Sequence, residues 1–475
     1  MLPVGWHGAW GGLRAAILGL GKSGFSVADT LLELGVEVKV FAKQAEPELA
    51  DLLDVIGAEL IHSDSPEDFD PNQFDFAVVS PGFPPHHPLV QKLVESGLRI
   101  SSDIELAHLL GDKVRLSEWI TITGTNGKTT TTELVNHMLN VAGHRSIACG
   151  NIGNPILDAI REPAGYDFLV VELSSFQLHY LGELSPKASA FLNLAEDHYD
   201  WHGTPDAYFQ AKSKIYNNTE TAIIYNAQDD MTLAAAEAAE VKEGCRAIAF
   251  TTGIPSRSSV GYVEEFLVDR AFIENRAEAA LELASFEDID QIGIRSKHML
   301  ANIAAASALA RAVGVSAEDI RSAIRSFVPA PHRIQRIAVL DGVTFVDDSK
   351  ATNLHAADAS LRSFDKVVWI VGGLLKGVDP APLIEKHASR LSGAVIIGAD
   401  TSELELLFNR ITPELAVRVI SGDDIMQQAV AAARTLASPG EVVLLAPAAA
   451  SMDQFKDYQD RGLQFQAAVR LEAKE

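Results

Sequence analysis

Short apolar runs alternate along most of the chain with stretches whose apolar residues recur at helical spacing. Strands that are buried on both faces of a parallel sheet read as short continuous apolar runs, and helices connect them. The pattern therefore predicts an α/β protein with parallel sheets. Its clearest strands are expected at residues 15–20, 76–79, 119–123, 168–173, 367–371, 394–397 and 442–445.

Two interruptions of this pattern predict domain boundaries. The first is near residues 111–113, just before a strand and a glycine-containing loop, and the second is near residues 328–331, where two prolines interrupt a helical stretch. We therefore predict three domains, at residues 1–112, 113–330 and 331–475. Shortly after the second boundary, residues 336–346 predict a hairpin with Asp341 and Gly342 at its tip.

Composition narrows the class of protein. The 475 residues exceed the size of one ordinary domain, and the two cysteines cannot form a disulfide framework. The formal net charge of -25 argues against non-specific binding to nucleic acid. No apolar run of about 18 residues is present, and the N-terminus lacks the segment order of a signal peptide. We expect a cytoplasmic protein that neither inserts into membranes nor binds nucleic acid.

A phosphate-binding loop is predicted where the strand at residues 119–123 runs into a helical stretch at residues 131–141. Glycines let backbone N–H groups surround phosphate oxygens, a lysine reaches the β- and γ-phosphates, and a hydroxyl binds Mg²⁺. Ile122 occupies the place of the first glycine of the usual spacing, but the strand–loop–helix context favours binding of a nucleoside triphosphate. The loop residues are Gly124, Thr125, Asn126, Gly127, Lys128, Thr129 and Thr130.

Acidic and histidine side chains follow two nearby predicted strands. Glu172 ends the strand that begins at residue 168, and His198 follows the strand predicted at residues 188–194. At the carboxyl edge of one sheet, both become candidate ligands of Mg²⁺, which prefers oxygen ligands and retains several waters. The alternative for each is a solvated strand end or an ion-pair partner.

Lys212 lies on the apolar face of a helix for which Thr204 is the expected N-cap. Tyr208, Ile215 and Tyr216 share that face. A lysine on an apolar face has a lowered pKa, and its neutral amine can react with carbon dioxide to give a carbamate that binds metal. The pattern alone favours a simpler interpretation, in which the stem packs and the ammonium group reaches water.

A second glycine loop lies near the N-terminus. Gly19, Gly21 and Gly24 match GxGxxG between a strand and a helix, which predicts a pyrophosphate site of the Rossmann type. The following strand ends in Ala42 and Lys43, so the acid that would hold a nicotinamide-cofactor ribose is missing. We expect a diphosphate site without that cofactor; a structural glycine turn and an NAD-dependent oxidoreductase are the alternatives.

Three polar loops follow strand-like runs in the last third of the chain, at residues 347–353, 372–377 and 446–451. Together they supply lysines and hydroxyls that suit an anionic small molecule such as an amino dicarboxylate. The predicted fold class is therefore α/β in three domains. These are an N-terminal Rossmann-like domain, a central mononucleotide-binding sheet of the phosphate-loop type, and a C-terminal Rossmann-like domain.

Six motifs in this order resemble those of the Mur ligases over nearly the whole chain. They are the phosphate loop, ELSSFQL at 172–178, EDH at 196–198, PHR at 331–333, DDSKATN at 347–353 and SMDQF at 451–455. The resemblance implies an ATP- and Mg²⁺-dependent ligase that phosphorylates a carboxylate and joins an amino acid through the acyl phosphate. The last two motifs are most like the member that joins D-glutamate to UDP-N-acetylmuramoyl-L-alanine in peptidoglycan synthesis. A monomer is expected.

The resemblance also implies roles for individual residues. The implied catalytic residues are Lys128, Glu172, His198 and Lys212. The implied metal ligands are Thr129, Glu172, His198 and a carbamylated Lys212. The implied ATP contacts are the phosphate loop and Asn302, His332, Arg333 and Asp348. The implied UDP-sugar contacts are Lys22, Ser23, Gly82, Asn151 and Gln177. The implied D-glutamate contacts are Lys350, Thr352, Lys376, Ser451 and Tyr458.

Some positions depart from the family's pattern. Ala42 stands where an acid that holds uracil is expected, Met299 interrupts the pattern before Asn302, and Tyr458 replaces a phenylalanine. Besides the NAD-dependent oxidoreductase, three alternatives stay open from the sequence. They are a Mur-type ligase for another amino acid, a folylpolyglutamate synthetase, and a nucleotide-binding regulator without catalysis.

Overall fold

A computed structural model describes residues 2–293, 295–329, 331–375 and 377–473. Within that part of the chain, the strands form three sheets of five, nine and six strands. The residues group into two compact units, 1–288 with 301–327 and 289–300 with 328–475. The first two sheets belong to the first unit and the third sheet to the second unit. The boundaries of a division into three domains stay a prediction.

The first sheet is entirely parallel and lies among four helices. Its strands are Arg14–Leu18 (β1), Glu37–Phe41 (β2), Glu59–Ile61 (β3), Phe76–Val79 (β4) and Arg99–Ser101 (β5). The helices are Lys22–Glu33 (α1), Pro47–Ile56 (α2), Pro88–Ser96 (α3) and Asp103–Leu109 (α4). The strand order is β3-β2-β1-β4-β5, so β1 and its glycine loop are central.

The second sheet carries the phosphate loop. Its strands are Glu118–Thr123 (β6), Ser146–Gly150 (β7), Phe168–Glu172 (β8), Ala188–Phe191 (β9), Ala222–Asn226 (β10), Arg246–Phe250 (β11), Ser259–Val263 (β12), Phe266–Asp269 (β13) and Leu281–Ser285 (β14). The helices of this part of the chain are Lys128–Val141 (α5), Ile156–Arg161 (α6), Ser175–His179 (α7), Tyr199–His202 (α8), Pro205–Ser213 (α9), Asp230–Glu237 (α10), Phe286–Asp290 (α11), Lys297–Ala312 (α12) and Ala317–Ser326 (α13).

The strand order of this sheet is β14-β13-β12-β11-β10-β9-β6-β8-β7. The strands from β7 to β12 pair in parallel, and β12, β13 and β14 extend the sheet as antiparallel strands. Because β6 lies between β8 and β9, the residues that follow these three strands meet at one edge of the sheet. This topology brings the phosphate loop, Glu172 and the segment before His198 together.

The third sheet is parallel except for its first pair. Its strands are Gln335–Leu340 (β15), Val343–Asp347 (β16), Val367–Gly372 (β17), Leu391–Ile397 (β18), Val417–Val419 (β19) and Val442–Leu445 (β20). The helices of this part are Leu354–Leu361 (α14), Ala381–His387 (α15), Ser402–Ile411 (α16), Ile425–Leu436 (α17) and Tyr458–Glu472 (α18). The order β15-β16-β20-β17-β18-β19 places β20 between β16 and β17.

Both faces of the parallel sheets are covered, as the continuous apolar runs predict. Along β1, Ala15 and Ile17 enter one apolar cluster, whereas Ala16 and Leu18 enter another on the opposite face. The same division occurs in the third sheet, where alternate residues of β17 pack into separate clusters. The predicted α/β class with mostly parallel sheets is confirmed. In the described chain, no helix is long and apolar enough to cross a membrane.

Several element boundaries differ from the predictions. Strand β18 begins at Leu391 and not at residue 394, because Ser392 and Gly393 interrupt the apolar run, and its pairing with β17 shifts register at Ser392. Strand β9 ends at Phe191, before the predicted end at residue 194. Helix α5 begins at Lys128 and not at residue 131, although its first turns are rich in β-branched threonine. The hairpin with Asp341 and Gly342 at its tip is confirmed.

Candidate active site

The phosphate loop joins β6 to α5 with the expected strand–loop–helix geometry. Gly127 is the N-cap of α5 with φ of +83°, a conformation that glycine adopts at no steric cost. The Nζ of Lys128 donates to the carbonyl oxygens of Gly124 at 2.9 Å and Thr125 at 3.1 Å. The lysine therefore lies folded over the loop, where its charge and the N-terminus of α5 both favour an anion.

Asn193 fixes this loop from the segment that follows β9. Its Oδ1 accepts from the backbone nitrogen of Asn126 at 2.9 Å, and its Nδ2 donates to the carbonyl oxygen of the same residue at 3.0 Å. The backbone nitrogen of Thr125 donates to the Asn193 carbonyl oxygen at 2.9 Å. The sequence pattern does not single out Asn193, because its role depends on contacts with a loop that lies 67 positions earlier in the chain.

Asn302, an ATP contact implied by the family resemblance, lies against the phosphate loop. A Cβ added at Gly127 would collide with the Asn302 carboxamide. Glycine at position 127 is therefore required for two reasons, its positive φ and the close approach of Asn302. The structure brings these residues together across 175 positions of the chain, while the nucleotide-binding role of Asn302 stays a prediction.

Glu172 is the last residue of β8, and its side chain is 2% exposed. Its Oε1 accepts a hydrogen bond from the Nδ2 of Asn151 at 2.8 Å. Its Oε2 is buried and has no hydrogen-bond partner among the described residues. A buried carboxylate oxygen without a donor is costly unless a ligand satisfies it, so the geometry fits a cation at this position.

His198 follows β9 in a left-handed conformation with φ of +55°. It precedes α8, and its Nε2 lies 3.5 Å from the Oδ2 of Asp197. The ring of Phe176 meets the imidazole edge-on with centroids 4.7 Å apart. These contacts direct the histidine toward the cleft at the edge of the sheet.

Lys212 is buried, with 2% of its surface exposed. Its Nζ donates to the carbonyl oxygen of Gly124 at 2.8 Å and to Oγ1 of Thr123 at 3.3 Å. Burial, together with the charge of Lys128, lowers the pKa of Lys212 well below its usual value. The expectation that its ammonium group reaches water is wrong, because α9 packs this face against the phosphate loop.

Tyr208 is a residue of the site that sequence reasoning assigned only to the apolar face. Its hydroxyl lies 3.0 Å from Oγ1 of Thr125, and its ring lies 5.1 Å from the Nζ of Lys212. Burial raises the pKa of the tyrosine, so its hydroxyl stays protonated. Thr204 caps α9 by accepting from the backbone nitrogen of Ala207 at 3.1 Å, as predicted.

A single cleft at the carboxyl edge of the second sheet brings Lys128, His198, Tyr208 and Lys212 together. Its lining residues are Thr125, Lys128, Asn151, Ser174, Ser175, Phe176, Asp197, His198, Tyr208 and Lys212. No group of three or more histidine, cysteine or acidic side chains arranged to hold a metal occurs among the described residues. Magnesium is usually bound by one or two carboxylates together with substrate phosphates and water, so the single buried carboxylate of Glu172 fits that ion.

Three of the other UDP-sugar candidates lie in or near the loops of the first sheet, and the fourth, Gln177, lies in α7 beside the second sheet. Lys22 and Ser23 begin α1, and a Cβ at Gly24 would collide with the Gly19 carbonyl oxygen, so this turn requires glycine. Gly82 is exposed in the loop after β4. Gln177 caps α7 reciprocally with Ser174, whose backbone nitrogen donates to Oε1 of Gln177 at 3.1 Å.

In the second unit, the DDSKATN motif follows β16. The Nδ1 of His332 lies 2.7 Å from Oδ2 of Asp347, and this ring is buried. Asp348 accepts from the backbone nitrogen of Ile334 at 3.2 Å and from the hydroxyl of Ser360. Burial raises the pKa of Asp348 to about 6. The motif is therefore held by a buried polar network.

The candidate amino-acid side of the second unit contains a cation over an aromatic ring. The Nζ of Lys350 lies 3.9 Å from the ring centroid of Tyr458. Thr352 follows in the same loop, and Ser451 is buried at the turn after β20. Lys376 lies outside the described residues.

Arg461 was missed in the sequence because it lies within an ordinary helical stretch. It is fully buried in α18, and its guanidinium group donates to Oγ and the carbonyl oxygen of Ser349 at 3.0 and 2.9 Å. It also donates to the carbonyl oxygen of Ala449 at 3.2 Å. One side chain thus joins the loop after β16 to the loop after β20. Burial lowers its pKa to about 10.

Three family models match the chain in succession. The model described as Mur ligase MurD-like, N-terminal domain matches residues 14–102, and the Mur ligase middle domain matches residues 122–310. The Mur ligase, glutamate ligase domain matches residues 332–449.

Curated relatives match over nearly their full length. The UDP-N-acetylmuramoylalanine–D-glutamate ligase of Leifsonia xyli subsp. xyli is 50% identical, over 98% of this chain and 93% of the relative. The enzyme of the same name from Streptomyces coelicolor is 44% identical, and the match covers 97% of this chain and 98% of the relative.

Solved structures share the fold at low identity. The UDP-N-acetylmuramate-alanine ligase MurC of Thermotoga maritima superposes with a TM-score of 0.56 at 15% identity, covering 98% of this chain and 100% of that one. The MurF ligase of the same organism, solved with ADP, gives a TM-score of 0.55 at 17% identity, covering 97% and 96%.

Proposed function

The chain belongs to the Mur ligase family, and we propose that it is the ATP-dependent ligase that adds D-glutamate to UDP-N-acetylmuramoyl-L-alanine in peptidoglycan precursor synthesis. Relatives named for this reaction match along nearly the whole chain. We assign the UDP-sugar to residues 1–112, ATP to residues 113–330 and the amino acid to residues 331–475.

One observation in the structure carries this proposal. Lys128, His198 and Lys212, which lie on or beside separate helices, line a single cleft at the phosphate loop. Glu172, at the end of β8, is hydrogen-bonded to Asn151 of the same cleft. In this cleft Lys128 and the N-terminus of α5 neutralise and position phosphate oxygens, and the buried carboxylate of Glu172 suits a cation that adds to this neutralisation. Those are the main demands of phosphoryl transfer.

The chemistry that this cleft supports has two steps. A carboxylate oxygen of the UDP-sugar substrate attacks the γ-phosphorus of ATP, the bond to the β-phosphate oxygen breaks, and ADP leaves. The amine nitrogen of D-glutamate then attacks the carbonyl carbon of the acyl phosphate, phosphate leaves with the bonding electron pair, and the nitrogen loses a proton. Lys128 and the N–H groups at the start of α5 neutralise the phosphate oxygens.

Glu172 and His198 are the side chains that we assign to Mg²⁺, with the hydroxyl of Thr129 as a further ligand. When bound, the ion supplies charge neutralisation at the phosphates. Asn151 holds Oε1 of Glu172 and leaves Oε2 available. We also assign a carbamate to Lys212, because burial lowers the pKa of the amine and favours the neutral form that attacks carbon dioxide with loss of a proton.

The amino acid is assigned to the loops of the third sheet. We propose that Lys350 and Ser451 bind the D-glutamate carboxylates. Thr352, Tyr458 and Lys376, the last of which lies outside the described residues, are further proposed contacts. Arg461 supports this assignment, because it holds the two loops that carry Lys350 and Ser451 to each other.

Phosphate release tests the proposal directly. The chain is mixed with ATP, Mg²⁺ and UDP-N-acetylmuramoyl-L-alanine, and D-glutamate is compared with L-glutamate, L-alanine, L-lysine and diaminopimelate. We expect release with D-glutamate alone. Release with another amino acid would retain the ligase chemistry and reject the amino-acid assignment. No release with any of them would reject the acceptor or favour a regulator without catalysis.

A further inference from the structure

A direct hydrogen bond joins a loop of the first sheet to a helix beside the second sheet. The hydroxyl of Tyr180 donates to the carbonyl oxygen of Phe83 at 2.7 Å, although the two residues are 97 positions apart in the chain. Tyr180 is the C-cap residue of α7, and Phe83 lies in the loop at residues 80–87 between β4 and α3. We call this segment the 80–87 loop.

The 80–87 loop packs directly on the glycine loop that follows β1. A Cβ built at Gly19 would lie 3.0 Å from Cβ of Ser80 and 3.3 Å from Cε2 of Phe83. The hydroxyl of Ser80 also donates to the Gly19 carbonyl oxygen at 3.4 Å. Displacement of Phe83 would therefore disturb both loops at the carboxyl edge of the first sheet.

The 80–87 loop is compact within itself. The backbone nitrogen of Phe83 donates to the Ser80 carbonyl oxygen at 3.1 Å, and that of His87 donates to the Pro84 carbonyl oxygen at 2.9 Å. The ring of Phe83 meets the His87 imidazole edge-on at 4.9 Å. Because these contacts connect the two ends of the loop, we expect one anchor at the Phe83 carbonyl oxygen to restrain all of it, including Gly82.

Tyr180 is itself held on the side of the second sheet. Its ring contacts His179 and Trp201 edge-on, with centroids 4.8 and 6.1 Å apart. The same short helix α7 carries Phe176 of the cleft and Gln177 at its reciprocal cap. Burial raises the pKa of Tyr180, so the hydroxyl remains a donor at physiological pH.

We propose that Tyr180 is a positioning residue for the acceptor substrate, because its hydroxyl ties the 80–87 loop and the glycine loop to the helix beside the catalytic cleft. The inference rests on the proposed function, in which these loops hold the UDP moiety while the cleft holds the reacting carboxylate. An acceptor that spans both parts binds best when the two loops keep a fixed position relative to α7.

The test compares Tyr180→Phe with the unaltered chain and with Tyr216→Phe. Tyr216 is a matched control, since its hydroxyl donates to the Ile224 carbonyl oxygen at 2.8 Å within the second sheet and touches neither loop. Steady-state phosphate release gives kcat and the KM for each of the three substrates. Amide hydrogen exchange across residues 80–87 gives a readout that does not depend on turnover.

Because Tyr180→Phe removes one hydrogen bond, we expect it to raise the KM for UDP-N-acetylmuramoyl-L-alanine about 3- to 10-fold. We expect kcat and the KM values for ATP and D-glutamate to stay within about twofold, since only acceptor binding changes. Exchange in the 80–87 loop should become faster in Tyr180→Phe and not in Tyr216→Phe.

Two results would overturn the inference while leaving the proposed function intact. One is normal turnover with an unchanged acceptor KM in Tyr180→Phe. The other is a parallel rise of all three KM values in both variants, which would indicate general destabilisation. Absence of D-glutamate-dependent phosphate release by the unaltered chain would instead overturn the proposed function, and the acceptor assignment of Tyr180 with it.

Discussion

The Nδ2 of Asn151 donates to Oε1 of Glu172 at 2.8 Å, and Oε2 of the same carboxylate is buried without a partner among the described residues. The backbone of Asn151 is held in register by the same glutamate, because its nitrogen donates to the Glu172 carbonyl oxygen at 2.8 Å. The asparagine therefore orients the carboxylate that we assign to Mg²⁺. Groups that orient a metal ligand affect metal affinity without touching the ion.

This hydrogen bond predicts that Asn151→Ala changes the magnesium dependence of phosphate release. The magnesium concentration that gives half-maximal phosphate release should rise about 10-fold or more, because the carboxylate is no longer held. Asn154→Ala is the matched control, since Asn154 is an exposed asparagine of the same loop. An unchanged magnesium dependence in Asn151→Ala would show that the asparagine does not act through Glu172.

Lys212→Ala is predicted to lower kcat on the order of 100-fold or more, as expected for loss of a metal-binding group. If the lysine acts as a carbamate, millimolar formate or acetate should restore part of the activity by replacing the lost anion. Lys214→Ala is the control, because Lys214 belongs to the same segment but donates to the His179 carbonyl oxygen. Full activity of Lys212→Ala, or rescue by an alkylamine and not by a carboxylate, would reject the carbamate.

The buried carboxyl group of Asp348 should make the free energy of unfolding larger at low pH than at high pH. Burial raises its pKa from 3.8 to about 6, so the folded chain binds a proton that the unfolded chain has lost between these values. The stabilisation is complete below pH 4 and is lost as the pH rises through 6. At pH 8 the folded protein therefore carries a buried charge that Asp348→Asn would remove.

We expect Asp348→Asn to raise the unfolding temperature on the order of 5 °C at pH 8, with the difference disappearing toward pH 4. Activity should fall in the same variant, since the carboxylate is an assigned ATP contact. Differential scanning calorimetry across this pH range measures the effect. Asp365→Asn, at an exposed aspartate, should follow the unaltered chain. A pH-independent difference would mean that the carboxylate is not protonated on folding.

The sequence predicts those strands and turns whose local residue pattern matches their burial in the fold. Strand β20 was predicted at its observed bounds because its apolar run is uninterrupted, and the hairpin was predicted from its Asp-Gly tip. The antiparallel extension of the second sheet at residues 259–285 was not predicted. Its strands follow one another without the intervening helices on which the α/β interpretation depends.

Site residues can be predicted from the sequence where they lie together in one contiguous motif. The phosphate loop and Glu172 were found in this way, and Lys212 was found only through resemblance, because its apolar face is equally typical of a packed lysine stem. Asn193 and Arg461 act through contacts with backbone atoms of distant loops. No local pattern distinguishes such a residue from an ordinary polar one, since the contact depends on the tertiary fold.

Arg461 gives the last prediction. Its guanidinium group makes hydrogen bonds to Ser349 and Ala449, so it connects the loop that carries Lys350 to the loop that carries Ser451. Lysine keeps the charge but lacks the planar fork, and at least one buried carbonyl oxygen would lose its donor.

We expect Arg461→Lys to raise the KM for D-glutamate about 10-fold. One buried polar group without a partner weakens binding by about that factor. The KM for the UDP-sugar should stay unchanged, because its assigned contacts lie in the first unit. Arg470→Lys, an exposed position of the same helix, controls for the change of residue type. If Arg461→Lys lowers only the unfolding temperature and leaves the D-glutamate KM unaltered, the two loops are held together without it, and the assignment of the amino acid to them loses its structural support.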